Sequence, residues 1–392
     1  MNIMNLYRTL ARPVLFQCDP EWTHHTTLQW GGKFGRTAVG RGILHALYEF
    51  EDERLAIEVA GLKFPNPVCL PGGFDKSGHA VEAIAAVGYG SVEVGSVSAL
   101  PSAGNPVRPR LFRVPDDEAM MVYYGVPNDG AQVVAQRLEK TRLPVPLGIN
   151  IVETNTGREV TEDALIDELT EALRILKPRA NFMTVNMNCP NSAGGVSPLD
   201  KPAVLRRLLE SFAATGPMPP LFLKIRLVPT PANIDAVLAV TDDFPFVKGF
   251  MPSVGAKKPY VGIKTPQAEL DRMPGSLSGP FAGPAALECI RAWYARIDRK
   301  RYVVVSAGGI NTPERAYERV RAGASLLQVY GAMIYNGPGI VRHIKQGLCA
   351  LLERDGYAHV VDAVGAEVRG EPMRGKSPDG KAINGEALPA HR

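Results

Sequence analysis

Apolar residues fall along this chain in two rhythms, one of short continuous runs and one of helical spacing. Eight runs are brief and mostly β-branched, and most end in Gly, Asn, Ser or Pro: "PVCLPGG", "SVEVGS", "VPLGIN", "FMTVNMN", "LFLKIR", "VKGFMPS", "YVVVSAGG" and "SLLQVYG". Between most of them lie stretches such as "EDALIDELTEALRIL", "PAVLRRLLESFAA" and "PERAYERVRAGA", where apolar residues recur every three or four positions. Strands apolar on both faces, alternating with amphipathic helices, predict a parallel sheet covered by helices. Eight such units match a (β/α)8 TIM barrel. The alternative, a doubly wound open sheet, lacks its marker here, because no G-x-G-x-x-G opens a helix after the first strand.

Two flanking zones break the rhythm. Residues 1–45 carry two helical patterns and are expected as a short N-terminal helical extension. "LYRTLARPVLFQ" spaces Leu6, Leu10, Val14 and Leu15 helically around Arg8 and Arg12, and "PEWTHHTTLQWGGKFG" follows an Asp19-Pro20 start signal. The barrel is then expected over 46–364. Residues 365–392 are rich in Gly, Pro and charge without periodicity, which predicts a disordered tail.

Composition narrows the class. The 392 residues are 45% hydrophobic and 21% charged, as in a soluble globular protein, and the net charge of +4 is too mild to argue for nucleic acid. Five scattered cysteines without a C-x-x-C pair argue against a disulfide framework or a zinc site. No apolar run is long enough to span a membrane, and the N-terminus lacks the pattern of a cleavable signal peptide.

A barrel places its chemistry at the C-terminal ends of its strands. Those ends read Lys76, Ser96, Asn150, Asn186, Cys189, Asn191, Lys224, Ser253, Gly308 and Gly309, a polar and cationic ring on an apolar scaffold. Gly308 and Gly309, with a helix opening after Gly331, have the make-up of a phosphate cradle, although ordinary glycine turns would read the same way. Lys224 in a barrel mouth also suits Schiff-base chemistry. Cys189, in "VNMNCPN", is either a buried small hydrophobe or a reactive thiol.

The stretch "NPVCLPGGFDKSGHAVEAIAAVGYGSVEVGSVSALPSAGNPVRPRLFRV" resembles the dihydroorotate dehydrogenases, as do "LGIN", "VNMNCPN", "LKI", "GSLSG" and "AGASLLQVYGAMIYNGPGIV". The resemblance runs from about Leu6 to Leu348. It implies a flavin mononucleotide (FMN) across the barrel mouth and oxidation of dihydroorotate to orotate. The N-terminal helical pair followed by "VAGLKFPNPV" resembles the class 2 branch, which implies a quinone acceptor reached by a tunnel and a peripheral place on a membrane surface. That surface would be the cytoplasmic face, or the mitochondrial inner membrane in a eukaryote.

Residue by residue, the resemblance implies flavin contacts from Gly72, Gly73, Lys76, Ser96, Asn150, Asn186 and Lys224, with Ser253, Gly279, Gly308, Gly309, Tyr330 and Gly331 around ribityl and phosphate. Substrate would touch Lys76, Asn186 and Asn191. Cys189 takes the general-base position, where the class 2 branch usually has Ser and the class 1 branch Cys. Two positions depart from the pattern: Val122 and Val254 stand where the family has substrate-binding asparagines. Valine cannot replace their hydrogen bonds, which points to an alternative substrate, a less polar cyclic amide or acid. Arg226, two residues beyond Lys224 on the same strand face, is expected either to hold a substrate carboxylate or to pair with a neighbouring acid.

Overall fold

The computed structural model describes residues 3–158, 160–187, 198–225, 229–252 and 258–371. All eight apolar runs become parallel strands of one closed barrel: β1 Val68–Leu70, β2 Ser91–Val97, β3 Leu147–Ile151, β4 Phe182–Asn186, β5 Leu221–Ile225, β6 Val247–Pro252, β7 Val303–Ala307 and β8 Ala324–Gln328. They lie in sequential order, with β8 closing on β1. Every residue of β2, β3 and β8 is buried, which explains the runs without polar alternation. Phe182 and Phe222 meet edge to face at 5.5 Å in the lower barrel, and Phe64 of a small hairpin (Ile57–Val59 with Leu62–Phe64) packs 6.4 Å from Phe182. Its strands of three residues each are too short to leave a periodic trace in the sequence.

A second small sheet stands apart from the barrel, with Leu111–Val114, Ala119–Val122 and Ser276–Ser278 pairing antiparallel. Its middle strand carries Val122 opposite Leu111 and Ser276.

The N-terminal zone forms a broken helical segment over residues 3–15 and two full helices, α1 Pro20–Gly35 and α2 Ala38–Tyr48. The start signal works as expected: Asp19 accepts the Trp22 amide at 2.8 Å, and Pro20 takes the first helical position. Helix α2 runs past residue 45, because its apolar residues Leu44 and Tyr48 pack on the barrel. Polar clamps hold the zone in place. Glu21 meets Arg110 in a buried ion pair and Arg108 at 3.2 Å, Arg113 donates to the Cys18 carbonyl at 2.8 Å, and Arg8 reaches Asn336 at 2.7 Å.

The expectation of disorder from residue 365 fails for its first seven residues. Ala366 is fully buried, Gly365 N–H donates to Val320 O at 2.9 Å, and Glu367 pairs with Arg291 at 2.6 Å. These contacts are made across the fold and leave no local pattern. Residues 372–392, the rest of the expected tail, lie outside the described residues. The four described cysteines, Cys18, Cys69, Cys289 and Cys349, are unpaired, and no metal-binding cluster occurs among the described residues.

Candidate active site

The strand ends converge as a barrel requires. Three amides and hydroxyls from three successive strands join in one chain: Ser96 Oγ donates to Asn150 Oδ1 at 2.6 Å, and Asn186 Nδ2 donates to Ser96 Oγ at 3.2 Å. Gly95 makes the approach of β2 to β3 possible. It has φ +128°, and a Cβ there would lie 3.0 Å from Asn150 Cβ. Gly72 is packed in the same way, since its Cβ would stand 2.9 Å from that of Asn150. Lys224 lies beside Asn186 in the parallel register of β4 and β5.

Lys76 reaches the mouth from the loop after β1. Its Nζ donates to Gly73 O at 2.6 Å and lies 4.4 Å from the centre of the Tyr124 ring. Tyr124 bridges outward, with its OH 3.4 Å from His25 Nε2 and Arg110 stacked 4.9 Å from its ring. Asp75 is fully buried and fixes this loop by accepting the amides of His79 at 2.9 Å and Ala80 at 2.7 Å.

On the opposite side, Gly308 and Gly309 follow β7, and Tyr330 and Gly331 follow β8. Gly309 lies against the start of α3 (Gly283–Arg296), where an added Cβ would meet Gly283 N at 3.0 Å. Arg315, on α4 (Pro313–Ala322), ties the two segments together, donating to Pro280 O at 2.8 Å and Gly309 O at 3.3 Å. Gly279 sits one residue before this tie, and its Cβ would fall 2.6 Å from that of Ala119, so its place is set by packing on the small sheet. Tyr330 stands edge-on to Phe74 at 5.5 Å, and burial pushes its hydroxyl up to about 12. Cys189, Asn191, Arg226, Ser253 and Val254 lie outside the described residues.

Two features show what the mouth can hold. Open space faces the backbone at Gly73, Gly308 and Gly331, where an added Cβ would meet none of the described residues within 4 Å. Asn186 Oδ1 is buried without a hydrogen-bond partner among the described residues, which leaves an acceptor that a ligand donor would satisfy. Bare glycine backbone on one side and an amide–hydroxyl chain on the other suit a ligand with a phosphate and a planar, amide-edged ring.

Sequence reasoning passed over three groups that the fold brings to this region, Glu93, Gln328 and His24. Glu93 and Gln328 lie beneath the chain, with Asn150 Nδ2 donating to Glu93 Oε1 at 2.8 Å and Gln328 Nε2 to Glu93 Oε2 at 2.6 Å. A charged residue in the midst of "SVEVGS" was the available signal. His24 of α1 packs edge-on to Phe74 at 5.1 Å, so His24, Phe74 and Tyr330 form an aromatic path from α1 to the mouth. Burial, with help from Lys76, pushes the His24 imidazole down to about 3, so it stays neutral at physiological pH.

These features define a barrel whose mouth suits a cofactor carrying both phosphate and a planar ring. Residues 54–352 match the family model described as dihydroorotate dehydrogenase, and the chain belongs to that family. The protein named dihydroorotate dehydrogenase (quinone) from Sphingopyxis alaskensis is 38% identical over 363 residues, covering 91% of this chain and 96% of that protein. The protein of the same name from Haloarcula marismortui is 35% identical over 359 residues, covering 92% and 99%. A solved relative, the dihydroorotate dehydrogenase of Eimeria tenella in complex with ferulenol, superposes with a TM-score of 0.76 at 27% identity, covering 90% of this chain and 96% of that one. The family's enzymes are FMN-dependent oxidoreductases that act on a CH–CH bond. The residues described above fit that cofactor.

Proposed function

We propose that this protein oxidises dihydroorotate to orotate at an FMN site in the barrel mouth, with Cys189 as general base and a membrane quinone as final acceptor. The observation that carries the reading is the buried Asn186 Oδ1, unpartnered among the described residues, at the end of the Ser96–Asn150 chain, with open glycine backbone at Gly73, Gly308 and Gly331. When bound, FMN supplies the hydride acceptor. The chain's own residues do the rest. Lys76, fixed by Gly73 O and the Tyr124 ring, presents a positive charge to an anionic substrate. Lys224 presents another from β5. The Cys189 thiolate takes a proton from the carbon next to the one that loses hydride and becomes the thiol. A free thiol pKa of about 8.5 lets it serve as a base without an extreme environment. Membership of a flavin family and the names of the relatives support this reading over a Schiff-base lyase using Lys224 and over a different cyclic substrate.

The N-terminal helices supply the route to the acceptor. The His24–Phe74–Tyr330 path leads from α1 to the mouth, and a neutral His24 keeps that path compatible with an apolar quinone. The outer faces of these helices expose Trp22, Trp30, Phe34, Val39 and Ile43, with Lys33 Nζ 4.7 Å from the Trp30 ring centre. Aromatic and aliphatic side chains beside basic ones are what peripheral attachment to a lipid surface requires. No described helix is long and apolar enough to cross a membrane.

The test is anaerobic. Dihydroorotate added to the yellow protein is expected to bleach the flavin absorbance rapidly. Cys189→Ala should retain flavin and slow bleaching by about 10²–10⁴-fold. A yellow protein that dihydroorotate does not bleach would move the search to other cyclic amides and acids, as the valines at 122 and 254 suggest. Unchanged bleaching by the Ala variant would return Cys189 to a packing role.

A further inference from the structure

We propose that Glu93, buried beneath the mouth, is the positioning residue that fixes the direction of the whole side-chain hydrogen-bond chain, so that Asn186 meets the bound ligand as an acceptor and selects an N–H donor. The inference rests on the FMN and dihydroorotate reading above, and it assigns a role to a residue that touches neither ligand.

A carboxylate only accepts hydrogen bonds, whereas a side-chain amide presents a donor at one end and an acceptor at the other. Glu93 is 1% exposed, and its two oxygens face two amides, Asn150 at 2.8 Å and Gln328 at 2.6 Å. Both amides must therefore turn their NH2 groups towards it. That choice leaves Asn150 Oδ1 facing Ser96, whose hydroxyl must donate to it, at 2.6 Å. With its proton committed, Ser96 Oγ can only accept from Asn186, which offers Nδ2 at 3.2 Å. The remaining end of Asn186 is Oδ1, the buried atom without a partner among the described residues. Each step leaves one orientation, so a single carboxylate sets the polarity three residues away. Of the possible ring edges, only one bearing N–H completes this end of the chain; a flavin and a dihydropyrimidine both carry such a group.

Glu93→Gln conserves shape and abolishes the rule. Gln328 Nε2 also lies 3.6 Å from Met251 Sδ, a contact that holds this donor end in place, so that Gln328 Nε2 donates to the new carbonyl oxygen of residue 93. The new NH2 then faces Asn150, which turns over. Ser96 reverses in turn, and Asn186 presents Nδ2 to the ligand. The double variant Glu93→Gln/Gln328→Glu restores the direction, because a carboxylate at 328 claims the NH2 and leaves the carbonyl of residue 93 for Asn150.

The experiment measures FMN affinity by quenching of flavin fluorescence on binding to apo-protein, orotate affinity by perturbation of the bound-flavin spectrum, and melting temperature. Glu93→Gln is expected to weaken one ligand about tenfold or more, the scale of a donor set against a donor, and the double variant to recover it. A loss confined to FMN places the N–H on the flavin, and a loss confined to orotate places it on the substrate. Either supports the proposal. Wild-type affinities in Glu93→Gln overturn it, and so does a loss that the double variant leaves unrepaired, which would make Glu93 merely structural. Should the single variant fail to fold, the double variant carries the test: near-wild-type affinity is expected, and a tenfold loss overturns the proposal. A wild-type protein that takes up no FMN refutes the underlying reading instead, a result distinct from all of these.

Discussion

The barrel wall and the N-terminal helices are both rich in large apolar residues, yet they use them in opposite directions. In the wall, Leu70, Val92, Ile149, Met183, Leu223 and Leu327 are fully buried between the barrel interior and the surrounding helices. In the N-terminal layer, Trp30 is 64% exposed and Val39 73% exposed, although both sit on well-formed helices. The wall spends its hydrophobicity on folding. The outer layer is anchored by a few apolar contacts, Met4 and Leu28 in the core with Leu44 and Tyr48 against it, and by polar clamps: Glu21 with Arg110, and buried Lys345 with Glu49. The apolar side chains left exposed on these helices, Trp22, Trp30, Phe34, Val39 and Ile43, support the lipid-facing role proposed for them.

The strongest way to break this comparison is to remove the outer apolar face. Replacing Trp22, Trp30 and Phe34 together by Ser should weaken binding to phospholipid vesicles by at least about 100-fold, since each side chain contributes roughly 1.5–3 kcal/mol on leaving water. The melting temperature should hardly change, and a large drop would show that these residues belong to the fold after all. Co-sedimentation with vesicles and thermal melts decide the matter.

The clamps provide the next largest effect. Lys345 Nζ pairs with Glu49 and donates to Gly88 O at 2.9 Å, joining the end of α2 to the last long helix, Gly339–Asp355. Lys345→Ala removes the buried ammonium and leaves the half-buried Glu49 carboxylate with the Phe50 amide as its remaining donor at 2.8 Å, and it is expected to cost about 1.5–3 kcal/mol in urea denaturation. A loss under about 1 kcal/mol would mean that the layer is held by packing rather than by charge.

A smaller effect sharpens the view of the rim, which lies between wall and solvent. Glu153 follows β3, and burial together with the Glu168 carboxylate pushes its carboxyl up to about 7. A carboxyl whose pKa is raised in the folded state binds its proton more tightly there. Its contribution is therefore full below the ordinary carboxylate range and is lost as pH rises through about 7. Glu153→Gln should accordingly stabilise the protein by about 1–2 kcal/mol near pH 8 and by almost nothing near pH 5, after allowance for its partial exposure. Equal effects at both pH values would place the raised pKa elsewhere.

Much of the site was legible before any fold was known. Strand ends are local features, so Lys76, Ser96, Asn150, Asn186, Lys224 and the glycines after β7 and β8 could be picked out once eight apolar runs implied a barrel. What the strand ends do to one another was not legible. Gln328 and Glu93 are 235 residues apart and meet only because β8 closes the barrel beside β1 and β2. Val122 illustrates the same limit, since its backbone pairs with Ser276, which lies far along the chain in a sheet too short to show periodicity.

The sequence by itself determined the barrel, its eight strands, the cap at Asp19 and most of the polar ring, because hydrophobic period, glycine turns and capping residues act over a few neighbouring positions. Only the tertiary structure decided that Glu93 sits under Asn150, that His24 reaches Phe74 and that residues 365–371 are packed. Each of these depends on which distant surfaces close packing brings into contact, and that depends on the burial of the whole chain at once.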